Sequence, residues 1–354
     1  MSEPSPTSPT PPTAPEPAAG PTRRGRRSRL LRYGAGLVAL CAVAGYLTVQ
    51  YVTGGTDARG CKVVSGRGDG ASYEFTPEQA VNAATIAAVG TNRAMPERAV
   101  TIALATALQE SGLRNLNHGD RDSLGLFQQR PSQGWGTPEQ IMDPTYAAGM
   151  FYKHLAKVRD YESLPLTVAA QRVQRSGYPE AYAKHEPDAT LLAAALTGRS
   201  PATLTCTGRP DGSDEASDSG PDAVRAALVR DFGRGAFQEA GAEAGAGGAG
   251  NASGQASASP APGGTTGGDG RTVTVPVASE PDGRAAGRSE AERGWQLAHW
   301  AVAHASALRI ERVSYAGREW IAGRTDGQWR DVGGDSGAAG AEHSGDSVRI
   351  VTVR

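Results

Sequence analysis

Large aromatic side chains and cysteines are scarce in this chain, with 5 Trp, 10 Tyr, 5 Phe and 3 Cys among 354 residues. Set beside 47 Gly and 23 Pro, which gather in particular stretches, that scarcity makes much of the length linker. Such segments bury too little apolar surface to offset chain entropy. Net charge is nearly absent as well, at −1, which removes any global electrostatic case for nucleic-acid binding. Metal-ligand patterns are missing too. His299 and His304 stand five apart and do not share a helix face, so no metal and no cofactor is expected.

What is present begins with a Pro/Ser/Thr/Ala tract and an arginine cluster, Arg23, Arg24, Arg26, Arg27, Arg29 and Arg32. A run without charge follows from Tyr33 to Val52. About 20 such residues span a bilayer core as a helix, and flanking arginines favour the cytoplasmic side. The expectation is a disordered basic cytoplasmic arm over 1–32, a transmembrane helix over 33–52 and a single-pass cell-membrane protein with its later domains outside. The alternative is a signal peptide cleaved near Ala42-Val43-Ala44. Cys41 falls in the apolar run, which leaves Cys61 and Cys206 to bracket the next segment. In an oxidising compartment two such residues most simply form one disulfide; two free thiols are the alternative.

Between these cysteines the helix signals are dense. Thr76-Pro77-Glu78-Gln79 and Thr137-Pro138-Glu139-Gln140 each set an N-cap before a first-turn proline, and both carry cap-to-N3 spacing. Met95-Pro96-Glu97 and Asp143-Pro144 open two more helices, and shorter ones are expected over Leu166–Arg175 and Glu186–Leu196. Strand alternation is lacking here apart from a short hairpin around His118–Phe127. Segment 61–206 therefore reads as one mainly α domain. Beyond it, 207–270 reads as a linker with one short helix near Asp222–Phe237, and Glu239–Gly270 as flexible. Residues 271–354 read as a small α/β domain with strands at Arg271–Ala278, Arg312–Ala322 and Val348–Arg354 around a helix over Glu290–Leu308.

The chemistry concentrates in Ala105-Thr-Ala-Leu-Gln-Glu110-Ser111, followed by Gly125-Leu126-Phe127-Gln128-Gln129. An apolar helix ending in Glu-Ser, then a Gly-Leu-Phe-Gln loop, resembles the lysozyme-like superfamily, especially lytic transglycosylases and goose-type lysozymes. The resemblance implies a mainly α, lysozyme-like helical fold over 61–206, with Glu110 as the catalytic acid beside a loop that lines a cleft. It also implies peptidoglycan glycan strands as substrate, with other cell-wall proteins as further partners. The chemistry suits a glutamate in that place: cleaving a glycosidic bond needs a carboxylic acid still protonated near neutral pH. Desolvation and a negative helix C-terminus both disfavour its charged form.

The remaining site residues are less sharply defined. Ser111, Gln128, Gln129, Trp135, Gln171 and Tyr182 are candidates for contact with the sugar. A packing role is the alternative for Trp135. Where the superfamily has Ala-Tyr-Asn, this chain has Ala169-Ala170-Gln171, so that part of the cleft departs from the pattern. Asp120 and Asp122 are the candidates for a second carboxylate; the alternative is that both are turn residues. Two functions from different classes remain open: a glycan-cleaving enzyme, as lytic transglycosylase or muramidase, and an inactive lysozyme-like module that binds glycan or scaffolds wall remodelling. The segment holding Trp295, Trp300 and Trp320 resembles a C-terminal domain of some actinobacterial cell-wall proteins and reads as non-catalytic.

Overall fold

The computed structural model describes residues 60–175, 179–207, 220–234, 265–266, 270–277, 288–324, 327–332 and 345–353. The arm expected over 1–32, the span expected over 33–52 and most of the linker lie outside them. The expected single-pass membrane architecture is corrected: among the described residues no helix is long and apolar enough to cross a membrane. The longest, of 16 residues, falls short of the ~20 that a bilayer core requires, and its apolar surface is spent on protein neighbours.

That helix is α1, Pro77–Asn92, opened by Thr76 and Gln79 in a reciprocal capping box. Its residues from Ala80 to Thr91 are buried except Val81, which makes it the central rod. Helix α2, Glu97–Ser111, packs on it. A second capping box, Thr137 with Gln140, starts the single turn α3, Pro138–Ile141. Asp143 caps α4, Pro144–Leu155, by accepting from the backbone N–H groups of Thr145 and Tyr146. Helices α1 and α4 approach closely at Gly90, where a Cβ atom would lie 2.6 Å from the Tyr152 ring. There the Tyr152 hydroxyl donates to the Ile86 carbonyl at 3.0 Å. Helices α5, Leu166–Gln174, and α6, Glu186–Leu196, complete the helical layer.

The expectation of a mainly α fold is corrected by two antiparallel sheets. The first has the order β2-β1-β3, built from β1 Cys61–Val64, β2 Ser72–Phe75 and β3 Leu204–Cys206. Cys61 lies directly opposite Cys206 in the ladder, and the two form a disulfide that closes 145 residues of sequence. In the chain-entropy account a loop of that size contributes about 4–5 kcal/mol. Strands of three or four residues carry too few positions for alternation to show, which is why the sequence reads there as loop.

The second sheet has six strands in the order β4-β5-β9-β6-β7-β8. They are β4 Thr265–Thr266, β5 Thr272–Pro276, β6 Ile310–Tyr315, β7 Arg318–Ile321, β8 Arg330–Asp331 and β9 Ser347–Thr352. Every pairing is antiparallel, so the α/β reading of 271–354 is corrected to a strand-rich antiparallel sheet. The single strand expected over Arg312–Ala322 is a hairpin turning at Ala316-Gly317. Helix α7, Pro221–Phe232, and helix α8, Glu290–Ala303, bring this half onto the helical layer. Asp231 of α7 is fully buried and accepts from Thr85 of α1 at 3.1 Å and from the Trp300 indole of α8 at 2.8 Å. Gln296 donates to Thr91 at 2.7 Å, and the Trp329 indole donates to the Leu204 carbonyl at 2.9 Å.

Candidate active site at the end of helix α2

Helix α2 stops by backbone geometry. Gly112 adopts a left-handed conformation, φ 62°, and Leu113 follows at φ 58°. The Leu113 N–H then reaches back to the Ala107 carbonyl at 3.1 Å, while the Gly112 N–H takes that of Leu108, a Schellman-type ending. Two amides of α1 hold this ending in place: Gln79 donates to the Gly112 carbonyl and Asn82 to that of Leu113, each at 2.8 Å. Glu110 is thereby presented from the last turn of a buried helix.

The following loop is fixed just as tightly. The Ser111 hydroxyl donates to the Leu126 carbonyl at 2.8 Å. Leu126 and Phe127 are completely buried, and Phe127 stacks on Phe151 of α4 at 4.7 Å. Gly125 sits at φ 75°, and a Cβ there would strike the Ile141 carbonyl oxygen at 2.6 Å, so the Gly in Gly125-Leu126-Phe127 answers a steric demand. Instead of the hairpin expected over His118–Phe127, one bridge joins Leu124 to Gln129.

Glu110 is half-buried, and the Tyr182 hydroxyl donates to its Oε1 at 2.6 Å. Tyr182 is itself fully buried, on the 3-10 segment Pro179–His185 that precedes α6. Burial raises the Glu110 pKa above the ordinary carboxylate value; Tyr182 and the nearby amide of Gln174 pull the other way without cancelling the rise. Gln174, at the end of α5, donates to the Phe127 carbonyl at 2.6 Å. The helix, the loop and the 3-10 segment therefore converge on one carboxyl group that holds its proton more firmly than an exposed glutamate does.

The structure separates the sequence candidates into two sets. Glu110, Ser111 and Tyr182 come together, and Gln174 joins them. Sequence reasoning passed over Gln174; the only signal was its position three residues after Gln171, on the same face of α5. Gln128, Gln129 and Trp135 make their contacts with other parts of the domain. Gln128, at φ 47°, donates back to the Gly125 carbonyl at 3.2 Å and closes its own loop. Gln129 is buried and donates to the Ala147 carbonyl of α4 at 3.2 Å. Trp135 stacks on His154 at 4.4 Å, so its ring packs against α4. Gln171 is half-buried on α5, one turn before Gln174.

Asp120 and Asp122, the candidates for a second carboxylate, each lie beside an arginine. Asp122 accepts from Arg130 Nε at 2.8 Å and from the Ser132 N–H at 2.9 Å. Those bonds hold its carboxyl well below the usual range, and they tie the 120–132 turn together. Asp120 is exposed and only 4.0 Å from Arg121. His299 and His304 are both buried in α8 and at its cap, with Nδ1 facing the carbonyls of Ala195 and Trp300 respectively. Burial lowers the His299 pKa to about 4.

Among known protein families, residues 242–344 match the one described as VldE, C-terminal domain. The match covers less than a third of the chain. It takes in β5, α8 and the β6–β7 hairpin and leaves the Glu110 site outside. No curated protein matches the chain.

Proposed function

We propose that this chain cleaves peptidoglycan glycan strands at the Glu110 site, with Glu110 serving alone as acid and then as base. The observation that carries the reading is the half-buried Glu110 carboxyl, its pKa raised by desolvation and its Oε1 held by the Tyr182 hydroxyl. General acid catalysis of glycoside cleavage needs such a group, poised to give its proton to the leaving oxygen.

With Asp122 committed to Arg130 and Ser132, and Asp120 exposed, a transglycosylase course suits the site better than a two-carboxylate hydrolysis. Glu110 gives its proton to the glycosidic oxygen as the C1–O bond breaks. A hydroxyl of the same sugar then bonds to C1, and its proton passes to the Glu110 carboxylate. The acid is regenerated and the sugar leaves as an anhydro product, with no water consumed. Tyr182 remains bonded to Oε1 throughout, which favours the other oxygen for the travelling proton.

Purified sacculi incubated with the full chain provide the test, read by mass spectrometry of the released muropeptides. Anhydro-terminated products are expected. Reducing ends would replace the transglycosylase course by muramidase hydrolysis, and binding without any product would overturn the enzymatic reading.

A further inference from the structure

The Gln174 amide occupies a place that the Glu110 chemistry leaves unexplained. Its Nε2 carries two hydrogens. One is committed to the Phe127 carbonyl at 2.6 Å, in the same loop whose Leu126 carbonyl is held by Ser111. Phe127 is wedged between that bond and its stack on Phe151, so the amide has a fixed anchor on one side. The loop so anchored is the one tied to Ser111, the residue next to Glu110, and the amide favours the charged form of the Glu110 carboxyl. A group clamped by one hydrogen to rigid backbone presents the second in a set direction.

We propose that Gln174 is a positioning residue for Glu110: anchored on the Phe127 carbonyl, it turns its second amide hydrogen to the carboxylate when Glu110 gives up its proton. Together with Tyr182 it then supplies two donors to the anion, one from α5 and one from the 3-10 segment before α6. Burial raises the affinity of the acid for its proton, and the donors stabilise the carboxylate that follows proton transfer. The same two donors hold that carboxylate in place to take back a proton. The inference rests on the role proposed for Glu110, but the charge state of Glu110 is measurable without any turnover.

The experiment is a carbon-13 carboxyl titration by NMR on the full chain, with the Glu110 signal assigned by its loss in Glu110→Gln. Gln174→Met keeps the volume and removes the donor. Losing one donor to a charged group should raise the Glu110 pKa by about one unit, and the alkaline limb of glycan cleavage should move with it. A merely structural role predicts the opposite sign, because a loosened Phe127 loop would admit water and bring the pKa down. An unchanged or lowered pKa overturns the proposal. A measurement on the unaltered protein guards against a variant that does not fold. One Gln174 side-chain amide proton should move downfield as Glu110 ionises, with the midpoint of the carboxyl titration. Amide protons that ignore that midpoint also overturn it. If the titration behaves as expected and no sacculus product forms, the positioning role stands and the glycan-cleaving function fails.

Discussion

The Ser111 hydroxyl donates to the Leu126 carbonyl at 2.8 Å, joining the last residue of α2 to a loop fifteen residues later. Leu126 is completely buried, so its carbonyl has little access to water if that donor is lost. Ser111→Ala should therefore destabilise the fold by about 1–3 kcal/mol, the usual cost of stranding a buried acceptor. Thermal unfolding of the variant should start several degrees below the unaltered chain. Cleavage should weaken too, because the loop that anchors Gln174 shifts; an unchanged melting temperature would show that the bond contributes nothing.

Glu110→Gln keeps shape and loses the transferable proton. Sacculus cleavage should fall by at least the ~10²–10⁴ that general acid catalysis supplies, while glycan binding persists. The stability effect has a definite sign. An acid whose folded pKa is raised binds its proton more tightly folded than unfolded. Its contribution is most favourable below the unfolded pKa and is lost as pH rises through the folded value. Glu110→Gln should flatten that decline, and denaturant midpoints across a pH series measure it.

Tyr182→Phe removes the hydrogen bond to Glu110 Oε1 and leaves the buried ring. With that donor gone, the carboxyl is left with desolvation and only the weaker help of Gln174, so its pKa rises further. The alkaline limb of the pH–rate profile should move to higher pH. The maximal rate should fall, since the acid loses its orienting contact. A limb that stays in place or moves down would remove Tyr182 from the site.

Asp120→Ala and Asp122→Asn separate one-carboxylate from two-carboxylate chemistry. Asp120 is exposed, and its loss should leave cleavage unchanged. Asp122→Asn gives up charge at the Arg130 and Ser132 contacts, loosening the 120–132 turn and lowering activity less than tenfold. Loss of a nucleophile or base would cost on the order of 10³ or more. Initial rates of muropeptide release distinguish the two.

Helix positions were readable where the local code is strong. Thr76, Thr137 and Asp143 cap the helices that their sequences announce, because a cap is a contact within three residues. The short strands β1–β3 escape because each has only three or four residues, and because the β1–β3 pairing joins Cys61 to Cys206, 145 residues away. At the site, Glu110 and Tyr182 were legible as a glutamate ending an apolar helix and a tyrosine in the looser third element. Gln128, Gln129 and Trp135 are candidates for the sugar because polar and aromatic side chains near the motif suggest contact. In the fold Gln128 and Gln129 donate to the Gly125 and Ala147 carbonyls, and Trp135 stacks on His154. Gln174 carried no such local mark: its role depends on a carbonyl 47 residues earlier.

The Trp329 indole ends on the carbonyl of Leu204, two residues before the disulfide cysteine. Gln296 likewise ends on Thr91, and Trp300 reaches the carboxylate that also holds Thr85. The boundary at Cys206 that the sequence suggests is thus a covalent boundary but not an energetic one. A polypeptide ending there would strip the outer faces of α1 and β3 and leave Thr85, Thr91 and the Leu204 carbonyl without these partners. Heat should melt the two halves in one calorimetric peak, and α1 would draw part of its rigidity from residues that follow the disulfide by more than twenty positions.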